Sequence, residues 1–557
     1  MRVPPLLIAT LLAVAYLSFL GRAGLHEPDE ARYAEIAREM RVSGDYLIPT
    51  LNGVPHFAKP PVIYWTTAAT MGLFGENEFG ARMTPMLAAL GVLLLTYWIG
   101  KQWFDPSTGR TAAWLLAGSL EFFILARGLC PDMVMTFWTT AAIAAFVWAR
   151  THQHPNRLRF TPFFICMGIA FATKGPMGVL VPLSMAVGWQ WTIRSPDEKS
   201  VRVPWMAGMA LTLLLALSWF AACSIRHPEL WQYFAKYEFI DRFFSKTHGR
   251  SQPFWFFIPV LLGGWLPWTP LFPLALSGQR LTWFYPNWRR AVPWALLGWL
   301  LPPFLLLSLS GSKLMTYILP LFPGIALGLA HGLLSRDKSA TATKPAVWAQ
   351  IAVFALVGTS VLVAVVCPEC LPVAIRTDRW FLPVWIIAIG AAGFAFWNLR
   401  QGISERRLAL AVVATAMVWS ALASQTVHFG PLLGTGASLR PFAERLRQEP
   451  GWEQAQIIVA GTRRHGMEFY LRRFVDATRE HADMALAPSS EIQDRIHEST
   501  QHLRLASDSR VPCYVITRQR EFDRGYFPQP QWDPLGKEGD FVLLQFNRHN
   551  RLRSTQK

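Results

Sequence analysis

Charge is scarce in this chain. Asp, Glu, Lys and Arg together supply 16% of its 557 residues, against 52% for the hydrophobic set. A soluble domain carries about 25% charge, so neither a conventional cytosolic enzyme nor a disordered chain fits. Cysteine is scarcer still, and six in the whole chain exclude a disulfide-built scaffold. Cys367 and Cys370 form a C-x-x-C around Pro-Glu, but no second pair completes a zinc site. Ordinary helix-end cysteines or a local disulfide account for them better. No Gly-rich strand–turn–helix is present to cradle a nucleotide pyrophosphate. Low-complexity stretches and short-period repeats are also missing.

What is plentiful is apolar and aromatic: 25 Trp, 37 Phe and a mean hydropathy of +0.24. Tryptophan gathers at lipid–water interfaces, and the composition is that of a polytopic membrane protein. The net charge of +17 is spread over short stretches between apolar runs rather than held in one block. Membrane topology explains that distribution, and no nucleic-acid partner is expected.

Runs long enough to cross a hydrocarbon core of about 30 Å are expected at 4–20, 80–100, 110–128, 133–149, 158–173, 176–193, 203–224, 254–274, 290–309, 314–333, 347–367, 380–397 and 408–425. The first resembles a signal peptide but lacks an A-x-A-like site, so it reads as an anchor. With the N-terminus in the cytoplasm, every loop on that side is basic, from Lys101 and Arg110 to Arg400, Arg406 and Arg407. The segments 21–79 and 225–253 then lie outside, as does the C-terminus. The expected fold is mainly α, a polytopic helical membrane protein of about 13 spans with a small C-terminal soluble α/β domain. Residues 1–429 form its transmembrane domain and 430–557 the external domain. Strands are expected at 456–460, 513–517 and 541–546, with helices near 438–448 and 464–474.

The densest chemistry follows the first span, in Glu27-Pro28-Asp29-Glu30-Ala31-Arg32-Tyr33. Residues 34–42 read as an interfacial amphipathic helix with Ile36, Ala37 and Met40 on one side. Asp29 either caps that helix or serves as a base or a cation partner at the membrane surface. Lys59, followed by Pro60-Pro61, either snorkels or grips a phosphate.

These residues, with Tyr64-Trp65, resemble the first loop of bacterial GT-C-type integral membrane glycosyltransferases. The resemblance is narrower to the lipid A aminoarabinose transferase family, related to protein O-mannosyltransferases. Pro131-Asp132, Thr173-Lys174-Gly175-Pro176, Leu266-Pro267-Trp268 and the stretch from Ser310 to Pro320 agree in order, and Phe469-Tyr470-Leu471 adds a weaker match. The resemblance implies transfer of a sugar from a polyprenyl-phosphate donor at the external face of the bacterial inner membrane. It implies Asp29 as catalytic carboxylate, Asp132 as a second acid of the same cavity and Glu30 supporting them. Lys59 and Arg242 are the candidates for the donor phosphate. Arg32, Tyr33, Tyr64, Lys313 and Tyr317 are candidates for lining the substrate cavity. Bland alternatives stand beside these: a helix cap for Asp132, an ion pair with Asp241 or Glu238 for Arg242, and an interface aromatic for Tyr317.

The sequence departs from the family at one point. Members can hold a metal ion through a Glu before the Lys-Pro-Pro and a His in the second long loop. Here Ala58 stands at the first position, and 228–242 contains Glu238 but no His. No metal or other cofactor is therefore expected. The acceptor is expected to be lipid A or a related envelope glycolipid, with a Ser/Thr hydroxyl of a protein as the same-class alternative. A transporter or lipid flippase would share the span count, but would place its acids near mid-membrane and often show two similar halves.

Overall fold

The computed structural model describes residues 4–152, 156–192, 202–228, 230–232, 234, 252–278, 291–335, 381–400, 404–424, 438–460, 464–478, 496–497, 511–524, 527, 531–538 and 540–547. The chain divides into two compact units. Residues 1–20, 83–226 and 231–425 make the first; 21–82, 227–230 and 426–557 make the second. The first long loop, expected to belong with the transmembrane part, thus shares a unit with the C-terminal segment.

In chain order the first helices are α1 (Pro5–Leu17), α2 (Asp29–Ser43), α3 (Val62–Phe74), α4 (Glu78–Trp103), α5 (Pro106–Gly118) and α6 (Leu120–Arg127). Then come α7 (Pro131–Thr151), α8 (Thr161–Lys174), α9 (Met177–Thr192), α10 (Trp205–Arg226), α11 (Phe257–Gly264) and α12 (Phe272–Gly278). The last are α13 (Ala291–Leu309), α14 (Phe322–Leu334), α15 (Phe381–Arg400), α16 (Glu405–Ser424), α17 (Arg440–Leu446) and α18 (Gly466–Leu471).

Among the described residues, six helical stretches are long and apolar enough to cross a membrane: α4, α7, α10, α13, α16 and Met315–Leu334, a 3-10 turn running into α14. The expected span at 347–367, with Cys367 at its end and Cys370 beyond, lies outside the described residues. The one expected at 110–128 is not a single helix, because it breaks at Ser119 into α5 and α6. The freed Leu120 N–H donates to the Leu266 carbonyl at 2.9 Å, which satisfies a backbone group that lipid cannot.

Spacing explains which faces are buried. On α13, Leu297, Leu301, Leu305 and Leu309 recur every fourth residue and are all exposed, while Ala295 and Trp299 are fully buried. Residues four apart share a helix face, and such a leucine stripe suits lipid. The opposite face meets α9, where Gly188 lies against the Trp294 carbonyl and Gly298 against the Ser184 carbonyl. Small residues let membrane helices approach this closely. At the other end of the unit, Arg127 ends α1 by donating to the carbonyls of Tyr16 and Ser18.

The second unit is built on a six-stranded sheet of order β5-β4-β3-β6-β8-β7. Its strands are β3 (Gln456–Val459), β4 (Asp476–Thr478), β5 (Ile496–His497), β6 (Cys513–Arg518), β7 (Trp532–Glu538) and β8 (Phe541–Phe546). The β5, β4, β3 and β6 neighbours are parallel, and β8 joins β6 and β7 antiparallel. Both faces carry apolar layers: Ile457, Val459 and Ile516 point to one, with α17 and α18, and Ile458, Val515 and Leu544 to the other. This is the period-2 alternation of a sheet covered on both sides.

Helix α2 packs on α3 and α18 in this unit. It is buried almost all round, from Glu30 to Met40, rather than lying at an interface on one apolar side. Its polar residues are matched internally. Arg38 donates twice to Glu35 at 2.7 Å, and Glu39 accepts the Gly53 N–H at 3.1 Å. A short hairpin, β1 (Thr50–Leu51) and β2 (Val54–Pro55), turns through Asn52-Gly53, both at positive φ. That pair is favoured in two-residue hairpin turns. The Asn52 side chain exchanges hydrogen bonds with the Val475 backbone at 2.7 and 3.1 Å.

Glu30 and Arg82 form a buried pair at 2.7 Å, and Arg82 also donates to the Ala23 and Gly24 carbonyls. Removing one member of such a pair costs about 3–5 kcal/mol. Arg82→Met should therefore lower stability by about that amount, read as denaturant unfolding of the purified protein in detergent. An unchanged midpoint would show that the pair is not holding the loop.

Candidate functional site

Two groups of candidate residues emerge, one in each unit. In the second unit, Asp29 is the first residue of α2, with Pro28 at the N-cap before it. Its carboxylate is more than half exposed and is paired with Arg32 one turn on. Arg32 also lies over the Tyr33 ring, 5.4 Å from its centroid, and the Tyr33 and Tyr64 rings are 6.0 Å apart. Arg32 and Lys59 both act electrostatically on His56, so these cations share one neighbourhood. Burial first, then those cations and His465, hold the His56 imidazole well below its usual range and neutral.

Glu30 is placed differently from Asp29. Burial pushes its carboxyl upward, but the charge and hydrogen bonds of Arg82 outweigh burial and bring it down to about 2. It is a committed structural anion beneath Asp29. Glu27 is buried as well and accepts the backbone N–H groups of His465 and Gly466 at 3.0 and 2.7 Å.

In the first unit, Asp132 sits at the start of α7, almost fully buried, and is salt-bridged to Lys174 at the end of α8. Lys174 in turn lies over the Tyr317 ring, 4.5 Å from its centroid. Asp132 is thus an ion-paired acid, and the residue preceding its helix is Cys130. Lys313 is buried and donates to the carbonyls of Ser310 at 2.6 Å and Gln252 at 3.0 Å. Arg242 lies outside the described residues.

The sequence reading missed two residues of this group. Lys174 stood in the quoted Thr-Lys-Gly-Pro stretch without a role. Glu121 is the single acid in the expected span 110–128, and an acid within a span is itself a signal. Ala58 offers no ligand, and among the described residues no three His, Cys, Asp or Glu side chains converge.

Comparison with known proteins places this geometry. The fold matches the crystal structure of ArnT from Cupriavidus metallidurans bound to undecaprenyl phosphate, with a TM-score of 0.77 over 97% of both chains at 21% identity. The class is therefore the GT-C-type integral membrane fold. The family model for dolichyl-phosphate-mannose-protein mannosyltransferase matches residues 6–234. The undecaprenyl phosphate-alpha-4-amino-4-deoxy-L-arabinose arabinosyl transferase of Erwinia tasmaniensis is 31% identical over 405 residues, 70% of each chain. Its counterpart from Edwardsiella ictaluri is 32% identical over 331 residues, so the match spans 58% of that relative's length. The chain belongs to this arabinosyl transferase family.

The buried acids of the second unit set a pH dependence. Burial raises both Glu27 and Glu468 from 4.5 to about 8. Between those values the folded unit holds protons that an unfolded chain has released. Their contribution to stability is complete below about 4.5 and is lost as pH rises through about 8. Protease protection of the segment 21–82 should fall across that window, and Glu27→Gln should flatten the profile. A flat wild-type profile would refute this.

Proposed function

We propose that this protein transfers an amino sugar from a polyprenyl-phosphate donor to lipid A or a related glycolipid at the periplasmic face of the inner membrane. Family membership carries the reading, because the relatives are named for that donor and that sugar. The basic loops, from Lys101 to Arg407, support a cytoplasmic N-terminus and a periplasmic C-terminal domain.

In the proposed reaction an acceptor phosphate oxygen attacks the anomeric carbon. The bond from that carbon to the donor phosphate oxygen breaks, polyprenyl phosphate leaves, and the configuration inverts. Lys59 takes the growing negative charge on the leaving phosphate. A phosphate acceptor is already an anion and needs no base. Asp29, exposed and tethered through Arg32, then stabilises positive charge developing on the sugar. Tyr33 and Tyr64, in the same unit as Asp29, contact substrate. The mannosyltransferase match over residues 6–234 supports one second reading: a Ser/Thr hydroxyl acceptor, for which Asp29 would serve as general base.

Mass spectrometry of envelopes from cells carrying wild type or Asp29→Asn tests the choice. The expected result is a sugar on lipid A that vanishes in the variant. A difference confined to glycopeptides moves the assignment to protein glycosylation. No difference at normal expression removes both and favours transport. Lys59→Ala should weaken use of the donor at least about tenfold, read as kcat/KM for the polyprenyl-phosphate sugar, because a desolvated cation–phosphate contact is lost.

A further inference from the structure

We propose that Glu121 receives the ammonium group of the transferred sugar and so sets the preference for an amino sugar. The inference rests on the reading that the donor carries such a sugar, and it assigns a residue to that choice.

Glu121 is the second residue of α6 and is 9% exposed, yet among the described residues neither carboxyl oxygen has a hydrogen-bond partner. Asp132 is close enough to act on it electrostatically, but the Asp132 charge is already matched by Lys174. Glu121 therefore stands beside an ion pair without a cation of its own among the described residues. Protonation does not resolve this, since a neutral carboxylic acid still presents an O–H donor and a carbonyl acceptor. Buried polar groups are nearly always satisfied, and an exception calls for an explanation.

The surroundings have the same character. Gly264, at the end of α11, runs so close that a Cβ there would overlap Glu121 Oε2. The next residue, Trp265, and then Trp268 are fully buried, and neither indole N–H has a partner among the described residues. Trp268 also lies against Gly118, immediately before the break that begins α6. One carboxyl group and two indole donors are thus desolvated and, among the described residues, unsatisfied around the Gly264–Trp268 turn. A ligand with a cation and hydroxyl groups suits that set. Its ammonium would bind Glu121 and its hydroxyls would accept the indole N–H groups. A neutral sugar would leave the carboxylate unmatched, and sites built around a polar partner reject analogues that lack it.

The test uses the full-length protein in phospholipid vesicles with two synthetic polyprenyl-phosphate donors, 4-amino-4-deoxyarabinose and arabinose, and lipid A as acceptor. Wild type should favour the amine. Glu121→Gln should lower kcat/KM for the amine donor at least about tenfold, mainly through KM, and collapse the preference while the unfolding midpoint stays in place. Equal loss on both donors, or an unchanged preference, overturns the assignment and leaves Glu121 facing trapped water. Should the variant not accumulate, wild type alone decides. An N-acetylated amine donor, which is neutral, must then be as poor as arabinose, and one used as well as the free amine overturns the proposal. Wild type that transfers no sugar from polyprenyl phosphate would instead defeat the proposed function itself.

Discussion

A charge taken out of water costs several kcal/mol unless a partner matches it, and that constraint organises both units. The partners are near in space but distant along the chain: Glu30 with Arg82, and Asp132 with Lys174. Each match pins two segments that apolar packing alone would leave free to slide. In a chain with 16% charged residues, few positions are available for such matches, so each fixes a junction.

The second unit shows the result most fully. Helix α2 begins with an exposed acid and continues into a stretch where even its acids are buried. Its carboxylates meet Arg38, Arg82 and the Gly53 N–H, so the helix cannot rotate without leaving a charge unmatched. Asp29 is thereby presented on a rigid base. Sites held by locked neighbours keep their geometry better than sites on free loops.

Much of this was legible in the sequence. The membrane class followed from composition, and β3, β6, β8, α17 and α18 lie where alternation and helical spacing put them. The motifs in order pointed to the family. Three features were not readable. β7 contains Pro534 and Gly536, and no strand was expected there; it is an edge strand with a register shift at those residues, where proline is tolerated. Helix α2 read as interfacial because Ile36, Ala37 and Met40 share one side, and its pattern could not reveal that residues more than 400 positions later cover it. Lys174 was visible only as part of a motif, since its pairing with Asp132 is tertiary.

The pairing of Glu27 with residues 465 and 466 also bears on how the protein is made. Ribosomes add roughly 5–20 residues per second. Helix α2 therefore emerges on the order of twenty seconds to over a minute before its covering helix α18 exists. During that interval its buried acids face solvent, and they take up their final protonation only when the last quarter of the chain arrives. Assembly of the unit is thus a late, post-insertion event, and a ribosome stalled before residue 426 leaves the Asp29 segment without its sheet.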